Sequence, residues 1–500
     1  MFYFSKSKFC QCWQCPKMLW LHKNKPEEYE IGEDVQERMR IGNEVGDLAM
    51  GIFGDFVEVT AKKEDGSLDL TEMIRRTEEE MQKGAKVICE ASFCHEGKYC
   101  AVDILLRGKK GWIICEVKSG THYDKDVYYM DVAYQMYILE QCGVPVQDCC
   151  LICLNRSYRF SGTLKLNELF YATRITDAAE HLQPKVPQIL AEADWVLSQT
   201  SEPDIPLSVG CRAPYPCGFW NYCARNLPSP SVFDLYQMNF DEMLRYYDAK
   251  LTDFPSLLSS KKITDAKQLR QMEHAVHPQP DYVDKKQIRA FLEELKYPLY
   301  FLDFETIQPA VPRYVGTSPY DQIPFQYSLH IAQAHGDLEH REFLAEAKKG
   351  QDPRRALAEQ LCRDIPENAC TVAYNKAFEC TMLEKMAAIF PDLAEHLRSI
   401  AKNMKDLLVP FRKGYYYSRA MGGSFSIKRV LPALFPNDPS LNYENLRGVH
   451  NGAQAMSVFP KMEDMEADEL AAAREDLLRY CELDTYAMVK IWEKLKDVCK

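Results

Sequence analysis

Leu299-Tyr300-Phe301-Leu302-Asp303-Phe304-Glu305 is an apolar run that ends in two carboxylates placed two positions apart. Such a run, entered from Tyr297-Pro298, has the character of a strand buried on both faces. Residues two apart in a strand project from one face, so Asp303 and Glu305 would leave an otherwise apolar element side by side. Burying two like charges is costly unless a cation balances them. Further along, Asn375 and Glu379 are four apart, as are Tyr480 and Asp484 in a helical pattern, and each pair would share a helix face. Asp303, Glu305, Glu379 and Asp484 thus offer four carboxylates from three elements. That is enough to bridge two divalent cations about 3.5–4 Å apart, with Tyr480 left to orient water. The plain alternative for Asp303 and Glu305 is a strand end entering a turn, and the Tyr480-to-Asp484 ending weighs against it.

A second acidic constellation lies earlier. Residues 99–107 and 112–118 read as two strands joined by Gly108-Lys109-Lys110-Gly111, which is hairpin punctuation. Glu116 and Lys118 emerge from one face of the second strand, and Asp103 on its partner reaches the same edge. One carboxylate from each strand gives a divalent cation hard oxygen ligands, and the lysine can hold water or stabilise charge on a phosphate. Taken alone, this set reads more simply as ion pairing across an exposed hairpin. Two metal-type constellations in one chain point to one chemistry, phosphodiester cleavage.

The chain has 500 residues and 46% hydrophobic content, which suits two or three domains with real cores. The expected organisation is an α/β domain over 1–225, a helical connector over 226–290 that opens on Asn226-Leu227-Pro228-Ser229-Pro230-Ser231, and a second α/β domain over 291–500. No apolar run is long enough to span a bilayer and residues 1–8 lack the apolar core of a secretory signal, so a cytoplasmic location and no membrane partner are expected. The 19 cysteines are then small buried hydrophobes, as Cys149, Cys150 and Cys153 would be, or metal ligands, rather than disulfides. A net charge of −12 argues against a protein that coats nucleic acid non-specifically. Local basic tracks are still expected. Lys6, Lys8, Lys17, Lys23 and Lys25 form one cluster, and Tyr415, Tyr416, Tyr417, Arg419, Lys428 and Arg429 interleave aromatic and basic residues as a single-strand stacking groove would. Solvated charge and core tyrosines are the alternative for each.

Cys211, Cys217 and Cys223 are separated by five residues each, in a stretch rich in Pro, Tyr, Phe and Trp that would shield a cluster from water. A [4Fe–4S] cluster or a tetrahedral Zn2+ needs four thiolates. Cys15 is the natural fourth, with Cys10 and Cys12 as lesser candidates, and closing so long a loop would fasten the two ends of the first domain. The Cys12 and Cys15 spacing keeps Zn2+ open.

Phe4-Ser5-Lys6-Ser7, Cys15-Pro16, Gly42-Asn43-Glu44-Val45-Gly46, Val102-Asp103, Glu116-Val117-Lys118, Gln135 and the three later cysteines form an ordered set. Over about the first 225 residues this set resembles the PD-(D/E)XK nuclease superfamily, in particular its RecB-like branch and the CRISPR-associated single-strand exonucleases that carry an iron–sulfur cluster. The resemblance implies a restriction-endonuclease-like fold, Asp103 and Glu116 as metal ligands, Lys118 as a catalytic residue, Gln135 as a positioning residue, and a [4Fe–4S] cluster in preference to Zn2+. Val102 stands where the family name has proline. Gly46 stands where many relatives have a metal-binding histidine, and Glu44, Asp47 and Glu90 are the candidate substitutes.

The later constellation resembles the ribonuclease H-like DEDD exonucleases, in the subgroup whose third motif carries tyrosine. Arg479 occupies the place of the other subgroup's histidine, and Glu379 replaces the usual aspartate. Asp303-Phe304-Glu305-Thr306-Ile307, Pro319-Tyr320, Pro324-Phe325-Gln326 and Gly422-Gly423-Ser424-Phe425-Ser426-Ile427-Lys428 together look like an uncharacterised bacterial family that joins this exonuclease domain to a RecB-like half. The resemblance implies a nuclease using Mg2+ or Mn2+ on nucleic acid, single-stranded DNA above all, and working from the 3′ end. The alternative is that the first half is a degenerate iron–sulfur DNA-binding clamp feeding one exonuclease or RNA-processing site. A glycosidase reading of the carboxylates explains neither the cysteines nor Lys118.

Overall fold

The computed structural model describes residues 4–30 and 32–500; residues 1–3 of the opening stretch and Ile31 lie outside them. The chain forms two compact units, Met1–Asn226 with Ala310–Tyr320, and Leu227–Pro309 with Asp321–Lys500. Both mix helices with a mixed sheet. Among the described residues no helix is long and apolar enough to cross a membrane.

The first unit is built on seven strands, β1 (Phe4–Ser5), β2 (Val57–Glu58), β3 (Val87–His95), β4 (Lys98–Arg107), β5 (Trp112–Lys118), β6 (Val146–Leu154) and β7 (Phe170–Arg174), in the order β2-β3-β4-β5-β6-β7 with β1 beside β4. Around it lie α1 (Lys6–Gln14), α2 (Pro16–Asn24), α3 (Glu33–Ala49), α4 (Leu70–Lys83) and α5 (Asp126–Gln141). Glu96 and Gly97, with φ of 47° and 78°, form the two-residue turn between β3 and β4. The β4–β5 hairpin falls where the sequence places it, and its antiparallel pairing runs from Arg107↔Trp112 to Ile104↔Cys115. Beyond that point β1 pairs with β4, in parallel, at Lys98 and Tyr99. The edge of β4 that β5 leaves is thus taken by the chain's first strand, and this brings Lys6, the residue after β1, toward Glu116. The crossover helix α5, between the parallel strands β5 and β6, is buried over most of its surface. Its Tyr134 ring stacks on Phe9 of α1 at 4.5 Å. Fully buried Leu105, Ile114 and Leu139 each contribute about 1.5–3 kcal/mol to this core, which holds the polar side chains of α5 against the sheet.

The second unit carries β8 (Tyr282–Val283), β9 (Leu299–Ile307), β10 (Ile323–Ala332), β11 (Leu338–Leu344), β12 (Cys370–Ala373), β13 (Lys405–Asp406) and β14 (Tyr416–Tyr417). The main sheet has the order β11-β10-β9-β12-β13, antiparallel from β11 to β9 and parallel from β9 to β13. β9 is its central strand, which explains its unbroken apolar character. Tyr300, Leu302, Phe304, Tyr327, Leu329 and Ile331 pack on one side with the helices Arg354–Asp364, Ala377–Ile389 and Ala394–Lys402. By the period of two, the opposite side presents Asp303 and Glu305 from β9 and their register partners Ser328 and Gln326 from β10. The long helix Ala467–Asp497 packs there, its Leu477 carbonyl accepting from Gln326 Nε2 at 2.8 Å.

The region read as a connector forms the helices Phe240–Asp248, Phe254–Ser260, Ala266–Val276 and Lys285–Glu293 within this unit. Val232, Leu235, Met243, Phe254, Leu257 and Met272 give it a core of its own. Tyr416 and Tyr417 are buried in the pairing of β14 with β8, and the Tyr416 hydroxyl donates to Asp281 Oδ2 at 2.6 Å. The stacking groove expected of these two tyrosines is therefore not formed by them; they are core residues.

Candidate metal centres

In the second unit, β12 pairs with β9 at Leu299, Tyr300 and Phe301, short of the half that carries Asp303 and Glu305. Past Ala373 the chain turns at Asn375, whose φ is 66° and whose amide donates to Asp406 Oδ1 at 3.0 Å. The helix Ala377–Ile389 then begins, with Glu379 in its first turn. Asn375 and Glu379 do not share a helix face as their spacing suggested: the strand-to-helix reversal needs a left-handed residue, and asparagine tolerates that conformation. Tyr480 and Asp484 do lie one turn apart on the long helix, and both are buried. The helix also presses the Cys481 thiol onto Asp303, 4.0 Å from Oδ2, and one donor atom each of Asp303, Glu305 and Cys481 falls within 4.8 Å of the others.

This cluster carries more negative charge than it can bear alone. Burial, then Asp484, Glu379 and Glu305, hold the Asp303 carboxyl well above the usual carboxylate range. Burial and Asp484 do the same to Glu305, with Lys428 opposing. Burial, with Asp406 adding to it, pushes Glu379 up to about 8. Asp484 is raised to about 6 by burial, against the pull of the Tyr443 hydroxyl, which donates to its Oδ1 at 2.6 Å, and of Lys428. Glu379 Oε2 is buried with no hydrogen-bond partner among the described residues. An orphaned carboxylate oxygen amid mutually repelling carboxylates fits a bound divalent cation, which supplies both the ligand contact and the missing charge. Tyr480 and Tyr443 are kept protonated by burial first and by Asp484 next, so both remain donors. Lys428 lies 5.6 Å from the Tyr480 ring centre and 5.2 Å from that of Tyr443, and donates to the His450 carbonyl at 3.0 Å. Lys428 stood in the basic and aromatic run, but nothing local marks Tyr443 or Cys481, which only the packing brings in.

In the first unit the structure gathers Asp103, Glu116, Lys118 and Gln135 and adds two residues that the spacing did not single out for this site, Lys6 and Asp131. Lys6 and Lys118 approach Glu116 Oε1 at 2.8 and 2.6 Å, and they approach the two oxygens of Asp131 at 3.3 and 2.6 Å. Gln135 Nε2 donates to Glu116 Oε2 at 2.7 Å and to Asp131 Oδ1 at 3.3 Å. The i, i+4 spacing of Asp131 and Gln135 on α5 was the available signal for Asp131. Asp103 Oδ2 accepts from the Val117 amide at 2.7 Å where β4 and β5 part. Burial and the Glu116 charge raise Asp103 to about 7, with Lys6 and Lys118 opposing. Burial pushes Glu116 upward too, but Lys118 and Lys6 outweigh it and leave Glu116 well below the usual carboxylate range. Of the candidate replacements for a histidine, Glu44 is exposed and paired with Arg40 at 3.2 Å, and Asp47 is exposed on α3. Glu90, at a φ of 58°, lies between Cys89 and Ala91, the register partners of Ile104 and Val102, and its charge adds to the upward shift of Asp103. A side chain at Gly46 would meet nothing within 4 Å of its Cβ. The other early lysines do not form a single track: Lys17 pairs with Glu202 at 2.7 Å, Lys23 donates to the Leu197 carbonyl at 2.8 Å, and Lys25 lies 4.6 Å from the Tyr222 ring centre.

Cys15, Cys211, Cys217 and Cys223 line one small cavity with Leu21, Leu207 and Phe219. Cys12 is instead in the core against the Ile189 carbonyl, and Cys10 is packed beside the core on the Lys6 side. Burial raises the Cys217 thiol to about 11, and Cys15, Cys211 and Cys223 add to the shift. Four thiols facing one apolar cavity suit a thiolate-ligated metal, because deprotonation is otherwise unfavourable there. Gly210 makes the arrangement achievable, since a Cβ on it would lie 2.4 Å from the Gln14 carbonyl oxygen, next to Cys15. Gln14 Nε2 closes the contact by donating to the Gly210 and Tyr215 carbonyls at 2.7 and 2.8 Å.

Residues 300–426 match a protein family described as a domain of unknown function, DUF2779. That span holds Asp303, Glu305 and Glu379 but stops before Tyr480 and Asp484. The chain is also similar to "Uncharacterized protein MG366 homolog" of Mycoplasma pneumoniae, with 25% identity over 221 residues that cover 41% of this chain and 33% of that protein. The chain thus spans about a third of the length of the curated relative it matches.

Proposed function

We propose that the chain is a metal-dependent phosphodiesterase that degrades nucleic acid from a 3′ end, single-stranded DNA above all, at the carboxylate centre of its second unit. The observation that carries this reading is the convergence of half-buried Asp303 with buried Glu305, Glu379 and Asp484 beside Tyr480, with a Glu379 oxygen left without a partner among the described residues. On this reading the second unit is a ribonuclease H-like DEDD exonuclease domain, and its four carboxylates hold Mg2+ or Mn2+. Bound there, the cations supply Lewis-acid stabilisation of charge on the phosphate and on the leaving oxygen. The chain's own groups do the positioning: Tyr480, protonated because it is buried, orients water, and Lys428 holds a substrate phosphate.

The first unit is read as a PD-(D/E)XK domain, with Asp103 and Glu116 as its ligands, Lys118 and Gln135 as its catalytic and positioning groups, and a [4Fe–4S] cluster, or else Zn2+, on Cys15, Cys211, Cys217 and Cys223. One observation favours the second reading of this unit as a binding clamp without cleavage: both oxygens of Glu116 are already engaged by Lys6, Lys118 and Gln135. The cytoplasm is the compartment that such reduced thiols suit.

The test uses full-length protein on 3′- and 5′-labelled single-stranded DNA and RNA with Mg2+ or Mn2+. Asp303→Asn should lower 3′-end degradation by about 10²-fold or more, because charge on the reacting phosphate loses its stabilisation. Tyr480→Phe should be milder, and Asp103→Asn should leave 3′-end degradation intact. Wild-type 3′-end degradation by Asp303→Asn would overturn the assignment.

A further inference from the structure

Beside the carboxylate cluster, the same face of the second unit's sheet carries a group of side chains that the proposed reaction does not use. His330 on β10 and His340 on β11 are cross-strand register partners, with ring centres 4.6 Å apart. Glu482, on the helix Ala467–Asp497, reaches the pair from above, its Oε1 3.9 Å from His340 Nδ1. One donor atom each of His330, His340 and Glu482 lies within 4.8 Å of the other two.

The surroundings distinguish this trio from a chance contact. His330 Nδ1 is hydrogen bonded to Thr485 Oγ1 at 2.8 Å, and His340 Nε2 to Ser328 Oγ at 2.9 Å. Those hydroxyls are bonded to each other at 2.7 Å. Each imidazole therefore has one nitrogen held by a buried polar network, leaving Nε2 of His330 and Nδ1 of His340 to ligate. An outer partner that fixes the ring and its tautomer is the support that metal-binding histidines receive.

We propose that His330, His340 and Glu482 form a second, distinct metal site that takes Zn2+. Two imidazoles and one carboxylate, with a fourth position open, suit Zn2+ far better than Mg2+, which prefers an all-oxygen set. Zn–ligand bonds of about 2.0–2.1 Å in a tetrahedron place ligand atoms roughly 3.4 Å apart. The 3.9 Å between Glu482 and His340 closes with a small side-chain adjustment, which Glu482 can make because its side chain is 50% exposed. His330 is buried and Glu482 is exposed, so the site has an inner wall and an outer ligand that solvent reaches. Glu482 lies between Tyr480 and Asp484 on one helix, so the ion would pin that helix to the β10–β11 hairpin and hold Asp484 in register with Asp303.

The test measures Zn2+ uptake by chelator-stripped, full-length protein in competition with a chromophoric chelator, and compares wild type with Glu482→Gln and His340→Gln. Glu482→Gln and His340→Gln should each bind one fewer, or bind that one at least about tenfold more weakly, and should lose part of the zinc-dependent rise in melting temperature. Co2+ in this site should show ligand-field bands without thiolate charge transfer, which separates it from the cysteine set. Glu482 is exposed, so Glu482→Gln keeps the test sound if His340→Gln misfolds. Equal stoichiometry and affinity in wild type and Glu482→Gln would overturn the proposal.

Discussion

Glu116 keeps its charge, though buried, because two ammonium groups converge on one of its oxygens. Lys6 supplies one of them and also reaches Asp131, so it acts as a built-in counter-ion for the first unit's acidic centre. Removing one partner of a buried ion pair costs about 3–5 kcal/mol when the other is left uncompensated. The Lys6 side chain is 23% exposed, so water recovers part of this, and Lys6→Met should destabilise metal-free protein by about 2–3 kcal/mol. A divalent cation should restore most of the loss, since it replaces the missing charge. Denaturant unfolding in EDTA and in Mg2+ checks this, and a variant as stable as wild type in EDTA would remove the counter-ion role. The same comparison bears on whether the first unit cleaves or only binds.

At the scale of elements, the first unit depends on two junctions where backbone meets backbone. The turn Val209–Cys211 reaches Gln14, at the end of α1, only because residue 210 has no side chain. Gly210→Ala would put a Cβ 2.4 Å from a carbonyl oxygen that cannot rotate away, so the turn must shift. The expected cost is about 1–3 kcal/mol, with Cys211 drawn away from Cys15 and metal retained less tightly. Metal content after gel filtration reads this directly; a Gly210→Ala protein that holds metal as wild type does would show that the four thiols are not a single ligand set. The other junction is β1 on β4, a two-residue pairing that aims Lys6. A strand so short is not recognisable from its own sequence.

For the whole molecule, both acidic centres make stability depend on pH in the same direction. Asp103, Glu379 and Asp484 have folded-state values of about 7, 8 and 6, all above the ordinary carboxyl values they regain on unfolding. The folded chain binds more protons than the unfolded one between those limits, so stability falls as pH rises. In EDTA, the melting temperature should therefore decline from about pH 5 to about pH 8. Glu116 has the opposite sign, since its depressed value gives stability that is lost as pH falls below the ordinary carboxyl range, outside this window. Mg2+ should flatten the decline by stabilising the charged carboxylates. A melting profile that is flat in EDTA and unchanged by Mg2+ would count against both centres as metal sites.

Local pattern determined much of this protein. The hairpin of β4 and β5, the central strand β9 and the helical pairing of Tyr480 with Asp484 follow from periodicity over a few residues, because side-chain direction repeats every two positions in a strand and about every four on a helix. Where chemistry needs acidic pairs at that spacing, the sequence shows them. The tertiary structure decided the rest. It put Asn375 in a turn instead of on a helix, buried Tyr416 and Tyr417, and delivered Lys6, Asp131, Tyr443 and Cys481 to the acidic centres. It also set His330 and His340 opposite each other beneath Glu482. These residues are separated by tens to hundreds of positions, and no local periodicity encodes which strand edge is vacated or which helix covers a face. Those choices come from burying the apolar surface of entire elements, so the charges they bring together are legible only once the chain has packed.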